Sequence, residues 1–177
     1  MKKILLLLGA LGVSAVAYGQ GSITFNNASA TSSRIFLSGS TTVGPNNAAS
    51  GVGSGFTVEL LAGTSATSLN SVFSSKTVWL GTGNLSGYFD ASTITVAGVP
   101  GGSTGFFQVR VFDGTSYATA SQFGASSVFS GAVGGPAPAP PSSFPVFTGF
   151  TLVPEPSTLA LGLLAGAGLL ALRRRKA

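Results

Sequence analysis

The chain of 177 residues suits one domain with appendages, and its 7 % charged residues contrast with about a quarter in ordinary globular domains. It has no Cys and no His, which excludes disulfides, zinc, haem and iron–sulfur ligation, thiol nucleophiles and imidazole catalysis. The formal charge of +5 resides at the ends: between Gln20 and Val153, Arg34, Lys76 and Arg110 balance Glu59, Asp90 and Asp113, so no basic footprint for nucleic acid exists.

Residues 1–19 read as a secretory signal peptide. Lys2 and Lys3 form a positive start, Ile4–Leu11 an apolar centre, and small residues follow. Two cuts fit the small-residue rule, after Ala17 or after Gly19, and the second is preferred. The apolar run of about 14 residues is short of the ~20 that a membrane span needs. Export then requires the secretion translocon and signal peptidase.

From residue 20 to 153, short apolar alternations are broken by Gly, Ser, Asn and Pro, the pattern of many short strands. The predicted strands are Ser22–Phe25, Arg34–Leu37, Gly55–Leu61, Lys76–Leu80, Gly87–Phe89, Thr93–Val99 and Gly105–Asp113, then a weaker one over Ser121–Phe129 and a last over Pro145–Val153. Gly105–Asp113 is the clearest: Phe107, Val109 and Val111 share one face, Gln108 and Arg110 the other. Asp113-Gly114 signals a turn, after which Tyr117 onward is expected to start another strand. Ser38–Ser54 and the Pro/Gly-rich residues 130–143 read as loops. No window carries a helical apolar period. The fold class expected is all-β, an antiparallel β-sandwich of Ig-like or jelly-roll-like architecture.

Residues 154–177 form a separate tail. Val153-Pro154-Glu155-Pro156-Ser157-Thr158 leads into the apolar run Thr158–Leu172, closed by Arg173, Arg174, Arg175 and Lys176. Fifteen helical residues reach about 22 Å, less than the ~30 Å hydrocarbon core. The four cations form a cytoplasmic stop under the positive-inside rule, so the precursor is expected in the inner membrane with its N-terminal part outside. The prolines hold the triplet extended at the outer boundary. Gly162 and Gly166 make a GxxxG, a spacing that can pack transmembrane helices closely, although chance suffices to explain it in so Gly-rich a segment.

In its order of motif, short helix and Arg cluster, this tail resembles a PEP-CTERM sorting signal. The resemblance implies processing by an exosortase-like enzyme after export, and an association with exopolysaccharide or biofilm matrix.

The domain itself offers little chemistry. Glu59, Asp90 and Asp113 are its three carboxylates, each at a strand edge or outward position, and Glu59 and Arg110 are expected to pair across a sheet. A hydrolase needs two carboxylates about 5–10 Å apart, which nothing in their spacing enforces. Asp113-Gly114-Thr115-Ser116 has no EF-hand spacing for calcium. Trp79, Tyr88 and Tyr117 are candidates for a sugar-stacking platform, with core packing the blander role for Trp79. Asn27 and Asn84 open glycosylation sequons. The reading is an exported, non-enzymatic surface or extracellular-matrix protein without cofactors, structural or adhesive in contact with exopolysaccharide; a carbohydrate-binding module is the alternative, and a hydrolase the least favoured.

Overall fold

The computed structural model describes residues 19–39, 55–80, 85–135 and 138–155. The expected signal peptide, the loop from residue 40, Asn84, and the tail from Pro156 through its apolar run to Lys176 lie outside them. Among the described residues no helix is long and apolar enough to cross a membrane.

Among these residues nine strands form two sheets. The smaller sheet has the order β4-β1-β8, with β1 over Gln20–Asn26, β4 over Asp90–Pro100 and β8 over Ser142–Ser143. The larger runs β3-β2-β5-β6-β9. Its strands are β2 (Phe56–Ser65), β3 (Ser68–Ser75), β5 (Thr104–Asp113), β6 (Gln122–Ala125) and β9 (Val153–Pro154), and β7 (Phe129–Ala132) also pairs with β5. The centre is β2 on β5, in unbroken antiparallel register from Phe56↔Asp113 to Gly63↔Phe106. Alternation explains it: Val58, Leu60, Phe107, Val109 and Val111 are buried, while Glu59, Gln108 and Arg110 emerge on the other side. Glu59 stands directly opposite Arg110, with 4.0 Å between carboxylate and guanidinium, as expected. Being partly exposed, the pair contributes at most a few tenths of a kcal/mol.

One core joins the layers. Phe25 of β1 meets Phe73 of β3 edge-on at 5.5 Å, and also packs on Phe89 and Phe144. Phe107, Phe129, Phe144 and Phe147 continue the cluster, with Phe129 and Phe147 stacked at 5.4 Å. Such ring pairs add specificity of angle to the area they bury. The chain passes from β4 to β5, and so between layers, through Pro100–Ser103. The Ser103 amide and hydroxyl both donate to the Pro100 carbonyl, and Gly102 takes φ +77°, the left-handed position that a turn of this kind reserves for glycine.

The all-β class holds, with several corrections in detail. The pairing is not wholly antiparallel, since β1 and β8 run parallel. Arg34–Leu37 forms no strand: the Ile35 amide donates to Gly87 and the Phe36 amide to Phe150, so its bonds go to two different segments and no ladder grows. Lys76–Leu80 and Gly87–Phe89 meet only at the bridge Trp79↔Phe89. Tyr117–Thr119 is a 3-10 turn rather than a strand. Pro145–Val153 becomes a strand only at its final residue, because Ser33 grips it from the side: its hydroxyl donates to the Phe147 carbonyl and accepts from the Phe147 amide. The expected loop over 130–143 is shorter, as β7 and β8 take its two ends. β3 went unforeseen because a bulge between Leu60 and Leu61 breaks its parity with β2, leaving Val72 and Phe73 adjacent and no clean alternation.

Asn27 is the main buried polar anchor. It is 2 % exposed; its Nδ2 donates to the Ser33 and Gly87 carbonyls and its Oδ1 accepts from the Phe89 amide. The atom that would carry a glycan is therefore enclosed, so this sequon is closed in the folded domain. Asn27→Ala leaves the Ser33 carbonyl and the Phe89 amide without this partner, at about 1–3 kcal/mol each, while the Gly87 carbonyl keeps the Ile35 amide. A loss of at least about 2 kcal/mol in urea melts is expected, and a variant within about 1 kcal/mol of the parent would contradict this anchoring role.

Candidate processing site

The place where the domain meets its tail is built on β6. Leu152, fully buried, donates its amide to the Phe36 carbonyl at 2.8 Å and packs with Phe150 over Gly124. A Cβ at Gly124 would lie 2.8 Å from the Phe150 ring and 3.0 Å from Leu152, so the glycine gives the final segment room to cross the sheet edge. The chain then surfaces. Val153 lies opposite Phe123 and is 50 % exposed, Pro154 lies opposite Gln122, and the Glu155 amide donates to the Ser121 carbonyl at 2.8 Å.

This register explains how a proline enters a strand. In an antiparallel ladder, hydrogen-bonded and non-hydrogen-bonded pairs alternate. Since Glu155 bonds Ser121, the Pro154–Gln122 pair is of the non-bonded kind, and the missing N–H costs the ladder nothing. The expected division between domain and tail, between residues 153 and 154, thus falls inside β9. The triplet begins extended as expected, but its first half is held by the domain's own edge. Pro156, Ser157, Thr158 and the stop Arg173, Arg174, Arg175 and Lys176 lie outside the described residues.

Asp113, at the end of β5, fixes the corner that receives Glu155. Its Oδ2 accepts from the Ser121 hydroxyl at 2.5 Å and its Oδ1 from the Gln122 amide at 2.9 Å. Partial burial pushes this carboxyl up, but the Ser121 hydroxyl and the Gln122 and Ser121 amides outweigh it and hold it below the ordinary carboxylate value. A lowered folded pKa adds stability that is fully present above the unfolded value and is lost as pH falls through the folded one. The domain is therefore expected to lose stability below about pH 4, and Asp113→Asn to flatten that part of the profile. Parallel acid profiles for the two proteins in urea melts would remove Asp113 from the account.

The other predicted site residues do not converge. Trp79 is 6 % exposed; its indole N–H donates to the Phe56 carbonyl and its ring meets Phe89 edge-on at 6.2 Å. Tyr88 is 8 % exposed beneath the Arg34 guanidinium. Tyr117 lies elsewhere, edge-on to Phe112 and Phe123 with the Arg110 guanidinium 4.7 Å from its centroid. Two of the three candidate rings are thus buried, and Trp79 takes the core role that alternation on an extended segment gives it. Asp90 accepts from the Ser92 amide in a local turn at the start of the smaller sheet, whereas Glu59 and Asp113 belong to the larger. Each oxygen of Asp113 already accepts one bond from the protein. Among the described residues no group of three His, Cys, Asp or Glu side chains is placed to hold a metal.

Comparison with family models matches the PEP-CTERM protein-sorting motif to residues 152–176. The chain carries that motif, and the match begins at Leu152, the last buried anchor of the domain. The motif implies an exported protein sorted by an exosortase, anchored in the membrane and then processed. Comparison with curated proteins and with solved structures finds no match for the chain.

Proposed function

We propose that this is a non-enzymatic protein of the cell surface or extracellular matrix, structural or adhesive, which works in contact with exopolysaccharide. Its precursor is exported through the translocon, trimmed by signal peptidase at residue 17 or 19, and held by residues 158–172 with Arg173–Lys176 in the cytoplasm. The exosortase-like enzyme then reads Pro154-Glu155-Pro156 and releases the domain.

The observation that carries this reading is the direct continuity of the sorting motif with the sheet: Leu152 is core, Val153 is strand, and the triplet has already begun. The first two residues of the triplet lie on the domain's own edge. Contact with polysaccharide is supported by the composition of the domain, whose charges are few and balanced and whose Ser, Thr and Asn side chains are abundant. Hydroxyls and amides bond polyols without needing charge. A carbohydrate-binding module built on Trp79, Tyr88 and Tyr117 is less favoured, because two of its rings are buried.

The test is co-sedimentation of the processed, tagged protein with exopolysaccharide from a host that carries the enzyme. Retention that persists in high salt is expected, since ionic contacts are screened there and neutral hydrogen bonds are not. Complete recovery of the protein in the soluble fraction at every salt concentration would overturn the matrix role.

A further inference from the structure

We propose that β9 is a strap that must peel from β6 before the sorting motif is processed, so that the folded domain gates its own release. This rests on the reading that an exosortase-like enzyme acts at the triplet.

Two observations carry it. Val153 and Pro154 lie in the β6 ladder and the Glu155 amide is bonded to Ser121, so two of the three triplet residues are held against the domain. The apolar run begins at Thr158, three residues beyond Glu155, and extended chain covers at most about 10 Å over that distance. If that run lies in the membrane, the docked strap leaves an enzyme embedded in the bilayer at most about 10 Å of chain to work on. Peeling back to Leu152 doubles that length to about 20 Å and frees Pro154 and Glu155 from the sheet.

The construction of the strap suits a reversible opening. Its ladder contains two register pairs and Val153 is half exposed. The next residue inward is of another kind: Leu152 is fully buried with its amide bonded to Phe36, so opening stops there and leaves the core intact. Short ladders with little buried surface belong to the low-stability end of a native structure, where local opening occurs without global unfolding.

A disulfide lock tests the strap. The chain has no Cys, so Phe123→Cys with Val153→Cys creates a single possible bridge. The two positions face each other in register at a hydrogen-bonded pair, whose ~5.5 Å Cα separation falls inside the range a disulfide accepts. Full-length tagged protein is expressed in a host carrying the enzyme, and the bridge is verified by non-reducing gel. The oxidised double variant is expected to stay uncut, at least about tenfold slower than its own reduced form, while each single-Cys variant is trimmed like the parent. The reduced form of the same protein is the control for folding. Equal trimming of the oxidised and reduced forms overturns the strap and leaves the processing reading in place. If the parent and the reduced form also go untrimmed in that host, the processing reading fails, and the strap with it.

Discussion

Val109→Asp is expected to leave the domain unfolded without denaturant, whereas Gln108→Asp, one residue away, remains folded. Val109 is fully buried between Phe107 and Val111, opposite Leu60 in register. Its backbone is already engaged by Ser126, whose hydroxyl accepts from the Val109 amide and whose own amide donates to the Val109 carbonyl. An aspartate there either buries an unpaired charge or takes up a proton, and both cost several kcal/mol. A domain with about 5–15 kcal/mol of total stability cannot absorb much of that. Gln108 faces the other way, where its Nε2 donates to the Ser126 carbonyl and its Oε1 accepts from Arg110. Aspartate at 108 loses the first bond but stays close to a cation, so a loss of about 1 kcal/mol is expected. Urea melts of residues 20–155 measure both. Similar midpoints for the two variants would contradict the assignment of faces.

The strands that sequence made legible are those whose partners are regular. β1 alternates throughout and β5 does so from Gly105 to Val111, while β2 alternates from Val58 to Leu60, the stretch that sets Glu59 opposite Arg110. The segments misread as strands, Arg34–Leu37, Lys76–Leu80 and residues 145–152, are also apolar and extended. What they lack is a constant neighbour: Phe36 makes both its bonds, to Phe150 and from Leu152, across a single parallel bridge to Thr151, while Ile35 turns to Gly87. Alternation records burial, and it does not record whether two segments stay together long enough to make a ladder. Trp79 shows the same limit from the functional side. A single Trp among hydroxyl-bearing residues is compatible with a sugar platform or with a core. The carbonyl of Phe56, which satisfies its N–H inside the fold, decides for the core and is 23 positions away in sequence.

The sorting motif was legible in full as chemistry: triplet, apolar run and cations, in that order. Its attachment to the domain was not. Proline reads locally as a strand breaker, and Pro154 escapes that rule only because the register puts it at a non-hydrogen-bonded pair with Gln122. Register depends on where Leu152 is anchored, hence on Phe36 and Gly124, which local pattern cannot bring together. The hinge between address and cargo is a tertiary feature.

If a processing enzyme reads Pro154-Glu155-Pro156 as an address, replacing the three residues by alanine abolishes processing. Alanine at 154 and 155 keeps the backbone that pairs with Gln122 and Ser121, so β9 and the domain persist. The apolar run and the Arg173–Lys176 stop are untouched, and export and insertion continue. In a host that carries the enzyme, mass and fractionation of tagged protein should show the parent shortened and released, and the triple-alanine variant uncut in the inner membrane with its domain outside. If the variant is trimmed and released as efficiently as the parent, the triplet is not the signal and the account fails.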